Sequence, residues 1–529
     1  MLVSEQHKAL VLRTRFPDKL LTTLPRAKQL NPAKPEYVAI PHRVEEVRVL
    51  RNMGYSAPSP IKSYYEWPRS HHIKNPFDAQ VETAAFLTYH NRAYVLSGMG
   101  AGKTNAVLWA FDYLRSQGLV NRMLVVAPLS TLELTWGNAL FDHFPHLDST
   151  IVHHSNRQKR IALLNQEADV YITNHDGPKI IGEALAARPD IDLIVVDEVA
   201  QCARNKQTDR WKALNEIINK QKAGKKTRAC WGLTGTPVPN EPTDAYAQAK
   251  LVTPETVPRT VTKFRDMVMK QVGPYLWVPR QNAMDTVYDA LKPAIRYSRE
   301  ECVDLPPTTF SDQHAELTAK QHKAYKAMRD TLRSQIEAGE ITAANEAVKL
   351  GKLVQIACGM AYGANGDDVI DIGAKPREEL TSQLVKDAAG KAIVFVPFVA
   401  SIQRVEAALQ AQGFSTGVVH GKVSSTARNA LFQRFQHGDD LDVLVAQPAA
   451  MSHGLTLTAA STIIWYAPIT SSDTYEQANA RITRPGQTHN TLIVNVSGTA
   501  EERRIYDRLK RRQKVQNILL DKVVAGRAA

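Results

Sequence analysis

The chain has 529 residues, 43% apolar and 22% charged, which is ordinary for a water-soluble protein with room for about three domains. Lys and Arg number 66 against 53 Asp and Glu, so the formal charge is +13 and the pI about 9.4, a balance that suits nucleic acid or an anionic membrane surface. The four cysteines (Cys202, Cys230, Cys302, Cys358) form no CxxC pair, and neither a membrane-length apolar run nor a signal-peptide core is present, so a reducing cytoplasm is expected and a zinc, disulfide or membrane-spanning framework is not.

Residues 1–74 read as a small α+β domain. Ala9 to Leu12 and Tyr37 to Ile40 are strand-like; Asp18 to Leu24 follows Pro17 as a short helix; Val44 to Met53 is a helix ended by Gly54. A connector bearing Pro, Tyr and Trp runs from Ala57 to Pro68. Arg13, Arg15, Arg26, Lys28, Arg43, Arg48 and Arg51 make this unit basic, so it either touches nucleic acid or packs on the rest of the chain.

From 75 to 300, short apolar runs alternate with helical patterns, as in a buried parallel sheet: Met123 to Ala127, Val170 to Thr173, Leu193 to Val196 and Ala229 to Leu233. Within this region Ala93 to Leu96 leads into Gly98-Met99-Gly100-Ala101-Gly102-Lys103-Thr104 and then a helix. A strand, a Gly-rich turn and Lys-Thr at a helix start make a phosphate cradle. Glycines let backbone N–H groups face the phosphates, Lys103 reaches the β- and γ-phosphates, and the Thr104 hydroxyl ligates Mg²⁺. The full GxxxxGK[ST] pattern asks for Gly where this chain has Ser97.

Leu193 to Val196 ends in Asp197-Glu198, which sets two carboxylates at the carboxyl edge of the sheet. In-line attack on a γ-phosphate needs a metal ligand, here Asp197, and a group that polarises the water, here Glu198. Gln80 suits the edge of adenine, and the hydroxyls of Thr234 and Thr236 are placed to sense the phosphates and pass that state on. Residues 301–375 read as a helical insertion, Lys320 to Ala338 above all, with a Gly/Asp-rich hinge from Gly363 to Lys375. Residues 376–529 form a second α/β pattern, with strands expected at Ala392 to Val396, Thr416 to Val419, Val443 to Ala446, Thr462 to Tyr466 and Leu492 to Val496. Its Gln477, Arg481 and Arg484 have i, i+4, i+7 spacing, which puts all three on one helix face if the helix continues. The basic segment Ala500 to Val523 reads as a helix that packs on the second lobe, braces the two lobes or touches DNA.

These motifs, with Val125 to Leu132, Ile172-Thr173-Asn174, Leu233 to Pro237, Ile393-Val394-Phe395, His420-Gly421, Gly454 to Leu457 and Gln477 to Gln487, occur in the order found in helicase superfamily 2, and the whole resembles its Swi/Snf-like group over residues 75 to 510. The resemblance implies two RecA-like lobes that bind ATP and Mg²⁺ and act on DNA. It implies an ATP-binding set of Gln80, Gly98, Met99, Gly100, Ala101, Gly102, Lys103, Thr104, Gly454 and Gln477, and metal ligands Thr104 and Asp197. Catalysis would use Lys103, Glu198 and the arginine fingers Arg481 and Arg484; coupling would use Thr234 and Thr236. DNA would be met at Ser130, Thr131, Thr173, Asn174 and Thr456.

The chain departs from the group at Val199-Ala200, where relatives usually carry His or a similar polar residue after the acidic pair, so the link from ATP state to DNA is the part in question. Its compact form resembles bacterial or bacteriophage members, and residues 1–74 are faintly similar to the HARP-type modules of annealing helicases. The reading is an ATP-dependent DNA translocase. Strand separation or annealing at forks or R-loops is the alternative, and a nucleotide-gated DNA clamp without motor activity is a second.

Overall fold

Strands β1 (Leu2–Ser4), β2 (Ala9–Arg13), β3 (Lys28–Gln29) and β4 (Tyr37–Pro41) form an antiparallel sheet in the order β1-β2-β4-β3. In β2 and β4 the alternation is strict: Leu10, Leu12, Val38 and Ile40 are buried against Leu20 of the helix Pro17–Thr23 and Val47 and Leu50 of the helix Val44–Asn52. The expected β-α-β-α order is present, with two short edge strands added. The computed structural model describes all residues except 68–74, 220–227, 274–275, 303–304, 338–342, 363–368, 452–455, 485 and 528–529.

The next sheet has seven strands. They are β5 (Arg92–Val95), β6 (Arg122–Ala127), β7 (Ser149–Ile151), β8 (Val170–Asn174), β9 (Ile191–Asp197) and β10 (Ala229–Leu233), then, after the hairpin β11 (Met269–Gln271) and β12 (Trp277–Pro279), β13 (Ala294–Ile295). The order is β13-β5-β10-β9-β6-β8-β7, every pair parallel. Successive residues feed different cores. Leu124, Val126, Ile194 and Val196 pack on one face, while Met123, Val125, Leu193 and Val195 pack on the other. A sheet covered on both faces by helices explains why its strands read as unbroken apolar runs.

The second large sheet is also wholly parallel. It contains β14 (Thr308–His314) and, after the hairpin β15 (Met360–Tyr362) and β16 (Val369–Asp371), β17 (Lys391–Phe395), β18 (Thr416–Val419), β19 (Val443–Ala446), β20 (Ala460–Trp465) and β21 (Thr491–Ser497), in the order β14-β21-β20-β17-β19-β18. Here too, alternate residues of β17 and β19 enter two cores. This lobe corrects the expectation that residues 301–375 are only a helical insertion and hinge. β14 pairs with β21 over its whole length, Thr308 with Thr491 through His314 with Ser497. Its sequence TTFSDQH is polar because it is an exposed edge strand, so it lacks the apolar run that marks the central strands. The helix Ala319–Glu337 lies in the expected insertion, followed by Ala343–Ala357.

The chain divides into two compact units, Met1–Cys302 with Gln516–Ala529, and Val303–Val515. The small N-terminal sheet therefore belongs with the first large sheet. The final helix, Ala500–Arg527, is shared: Ile505, Tyr506 and Leu509 are buried in the second unit, whereas Leu519, Leu520 and Val523 are buried in the first. Its N-terminal turn is fixed by Glu502, which is fully buried, ion-paired to Arg377 at 2.8 Å and accepts hydrogen bonds from Gly498 N and the Thr499 hydroxyl. No helix among the described residues is long and apolar enough to cross a membrane.

Candidate active site

The site of the first unit is built on one row of the sheet. Val95 at the end of β5, Leu233 at the end of β10 and Asp197 at the end of β9 are register partners across three neighbouring strands. Each strand stops at that row, so the loops that follow them start side by side at the carboxyl edge, where parallel sheets bind ligands.

From β5 the chain turns through Gly98 to Gly102 into the helix Lys103–Ser116. Gly100 (φ 80°) and Gly102 (φ 70°) have left-handed backbone, which glycine takes without a Cβ clash. Gly102 has a second constraint: a Cβ there would lie 2.0 Å from Gln80 Nε2. Gln80 is buried, its Oε1 accepts from Phe77 N at 2.9 Å, and its Nε2 approaches Gly102 O at 3.5 Å. Its amide thus props the phosphate loop. Lys103 Nζ donates to Ser97 O at 2.9 Å and Gly98 O at 3.1 Å. Ser97, at the position where the phosphate-loop pattern has Gly, accepts at its hydroxyl from Tyr297 N at 2.9 Å, tying the loop to the chain after β13.

From β9 the chain reaches Asp197 and Glu198. Asp197 Oδ2 accepts from the Trp136 indole at 3.0 Å, and Oδ1 accepts from Glu198 N at 3.0 Å. Burial pushes the Asp197 carboxyl above its ordinary pKa; the Lys103 charge and the two N–H donors oppose that shift and favour the carboxylate. Glu198 is one of two non-glycine residues with positive φ among the described residues (φ 48°, ψ 51°). Left-handed backbone costs a side-chain-bearing residue about 1–2 kcal/mol, and such strain collects at functional sites. It leaves the Glu198 carboxylate within reach of β10: the Thr234 hydroxyl donates to Glu198 Oε2 at 3.4 Å, and Thr236 N donates to Thr234 Oγ1 at 3.1 Å. Gly235 also lies against the phosphate loop, its Cβ position 3.6 Å from Gly98 Cα. Lys103, Asp197, Glu198 and Thr234 are therefore brought together.

No cluster of three or more His, Cys, Asp or Glu among the described residues could hold a metal. Mg²⁺ keeps several waters and is usually held through one or two carboxylates plus substrate phosphates, so a metal ligated by Asp197 would need no such cluster.

Two residues were not anticipated. Trp136 holds Asp197, and His175 Nε2 lies 2.8 Å from Asp197 O. His175 is buried, and burial lowers its pKa to about 4, so the neutral ring donates to that carbonyl. Since β6 separates β8 from β9, His175 spans the end of β6. Its adjacency to Asn174 was the available signal. Val199 and Ala200 are buried, Val199 beneath Gly232, so the position that departs from the family pattern is closed to solvent.

Three expectations are corrected. Thr173 is fully buried and its hydroxyl donates to Val152 O at 2.9 Å, and Thr131 is buried with its hydroxyl on Pro128 O at 2.9 Å; neither side chain is free to meet DNA. Ser130 is exposed, and Asn174 is half-buried with Oδ1 accepting from Arg160 Nη1 at 2.9 Å. In the second unit, Gln477, Arg481 and Arg484 do not share a helix face, because the helix Ser472–Asn479 ends first. Arg481 O accepts from Leu457 N at 3.0 Å, and the Gln487 amide donates to Ile482 O, Ala460 O and Thr458 O, which together pin the chain out of the helix. Gln477 is buried, donating to Asp473 Oδ1 at 2.9 Å; Arg484 Nη1 donates to the exposed Thr456 hydroxyl at 3.3 Å. Gly454 lies outside the described residues.

Residues 81–358 match the SNF2-related domain, and residues 376–486 match the helicase conserved C-terminal domain. The chain is 25% identical over 459 residues to p41 of Acyrthosiphon pisum secondary endosymbiont phage 1, covering 81% of this chain and 94% of that protein. It is 22% identical over 435 residues to an ATP-dependent helicase of Mycoplasma pneumoniae, covering 80% of this chain but 40% of the helicase. The solved SWI2/SNF2 ATPase core of Sulfolobus solfataricus in complex with dsDNA is 20% identical, with 84% of this chain and 93% of that one covered and a TM-score of 0.39.

Proposed function

We propose, for a chain that belongs to the SNF2-related family and is an ATP hydrolase of that helicase-like kind, that hydrolysis drives movement along DNA and remodels DNA or protein–DNA complexes. The observation that carries the reading is the aligned row Val95–Leu233–Asp197, from which the Gly-rich turn, Asp197-Glu198 and the Thr234 turn leave side by side at one edge.

ATP would enter with its phosphates over Gly98 to Thr104. The loop N–H groups and the helix start bind the anion, and Lys103 exchanges two backbone carbonyls for phosphate oxygens. Thr104 and Asp197 would hold Mg²⁺, which supplies neutralisation of the phosphate charge. Glu198 orients the attacking water and accepts its proton, with Thr234 fixing one carboxylate oxygen. Loss of the γ-phosphate then changes what Lys103 and the Thr234–Thr236 turn have to bind. Arg481 and Arg484 of the second unit are the proposed stabilisers of transition-state charge. Ser130 and Asn174 are the proposed first-unit contacts to DNA, and the net charge of +13 favours phosphate tracking.

The test is steady-state ATP hydrolysis at one salt concentration without nucleic acid and with single strands, duplex, forks and RNA. Strong stimulation by duplex is the expected result. A preference for forks or single strands moves the reading to strand separation or annealing, and ATP binding without stimulation by any of them makes the chain a clamp.

His175 extends this scheme. It stands between Asn174 and Asp197, and Val199 and Ala200, the two residues after Glu198, carry no polar side chain to make such a link. His175→Ala is expected to lower duplex-stimulated turnover about tenfold, the scale of one hydrogen bond to a catalytic element, while basal turnover changes little. His175→Gln, whose Nε2 can reach the same carbonyl, should recover most of the stimulation.

A further inference from the structure

A cavity at the N-terminal domain lies apart from the proposed ATP site. It measures about 670 Å³ and opens between the small sheet and the distal end of the helix Lys103–Ser116. The register explains the space. Ala9 pairs with Pro41, and Lys28 pairs with Ala39, so three small side chains, Ala9, Ala39 and Pro41, lie on the sheet face turned away from its apolar core. Tyr64, Tyr113 and Gln117 close the side contributed by the connector and the ATPase lobe.

Charge at the rim is one-sided. Lys8, Arg26, Lys28 and Arg43 line it, all exposed, against the single carboxylate of Glu45. Glu45 is taken up by Arg26 at 3.5 Å, and Arg26 also pairs with Glu46 at 3.3 Å. Lys28 and Arg43 have no acidic partner among the described residues, and Lys8 lies over the Tyr64 ring, 5.7 Å from its centroid. Tyr64 is held from behind: His42 is buried, with Nδ1 3.0 Å from the Tyr64 hydroxyl and Nε2 2.9 Å from Pro58 O. The ring is a fixed, half-exposed wall, so the cavity offers unpaired cations around a preorganised aromatic surface.

The geometry points to a second nucleic-acid site here, one that takes a single strand, separate from the loops at the carboxyl edge of the large sheet. A duplex presents its phosphates on a convex surface, whereas a concave cleft in the size range of small-ligand sites (about 300–1,000 Å³) admits splayed nucleotides. Cations that follow a backbone around an aromatic wall are the chemistry of sequence-tolerant single-strand binding. The site goes beyond the proposed motor, which makes no use of the first domain. It lies at the end of the helix that begins with Lys103, so an occupied cleft and a loaded phosphate loop are opposite ends of one rigid element.

The test uses the nucleotide-free full chain and a fluorescein-labelled oligo(dT) read by anisotropy. Lys28→Glu with Arg43→Glu should weaken strand binding at least about tenfold. The milder Lys28→Gln with Arg43→Gln should reduce the slope of log affinity against log salt by about 1.4, two phosphate contacts at about 0.7 each. Duplex-stimulated ATP turnover should stay within about twofold in both, because the site that produces it is untouched. Unchanged strand affinity and slope in both variants would overturn the proposal. So would equal loss of duplex stimulation, or displacement of the oligonucleotide by a mononucleotide or inorganic phosphate at the same concentration. A wild-type chain that binds the strand yet shows no duplex stimulation refutes the motor reading and leaves this one standing.

Discussion

Glu198→Gln is expected to cut ATP turnover by about 10³-fold while ATP binding persists, within the 10²–10⁴ range that a positioned general base supplies. The substitution keeps the shape and one carbonyl oxygen, so Thr234 can still donate, but the amide cannot accept the proton of the attacking water. The left-handed backbone at Glu198 is equally available to Glu and Gln, so the fold is not put at risk. Turnover is read by phosphate release and binding by a fluorescent ATP analogue. Full turnover in a folded variant would remove Glu198 from the role of base and direct attention to other groups near the row.

Lys103→Ala is expected to lose turnover to a similar extent, about 10³-fold, and, unlike Glu198→Gln, to weaken ATP binding as well. Lys103 has two roles in the structure. It closes the loop by donating to Ser97 O and Gly98 O, and its charge opposes the burial that pushes Asp197 towards its protonated form. Alanine removes both, so the loop loses its internal donors and Asp197 is a poorer oxyanion for a metal. The pair of variants separates chemistry from binding: one loses kcat alone, the other loses kcat and affinity. A Lys103→Ala protein that binds ATP as tightly as wild type would show that the loop N–H groups suffice.

The phosphate loop and the acidic pair were legible in the chain because each is local. A strand, glycines with no side chain to clash, and Lys-Thr at a helix start fit within about ten residues, and Asp197-Glu198 ends an apolar run that must be buried. The central strands were legible for the same reason: with helices on both faces, most of their residues are buried and apolar. What escaped detection is what borrows its character from neighbours. β14 is polar because it lies at an edge, and only its partner β21 makes it a strand. The helix that was to present Gln477, Arg481 and Arg484 together stops at Asn479, since Gln487 and, from a distant part of the chain, Leu457 bond to the carbonyls beyond. Thr131 and Thr173 are DNA contacts in what the family resemblance implies, yet each hydroxyl finds a backbone carbonyl partner and is buried.

The sequence alone thus determined that two parallel sheets would form and which strand ends would carry the Gly-rich turn and the acidic pair. Only the tertiary structure decided that Val95, Leu233 and Asp197 end in one row, and that Gln80 underlies Gly102. It also decided that His175 and Trp136 hold Asp197 from strands and helices other than its own. The physical reason is that strand order and register come from burying both faces of a sheet, a requirement the whole unit meets collectively and no local stretch of sequence states.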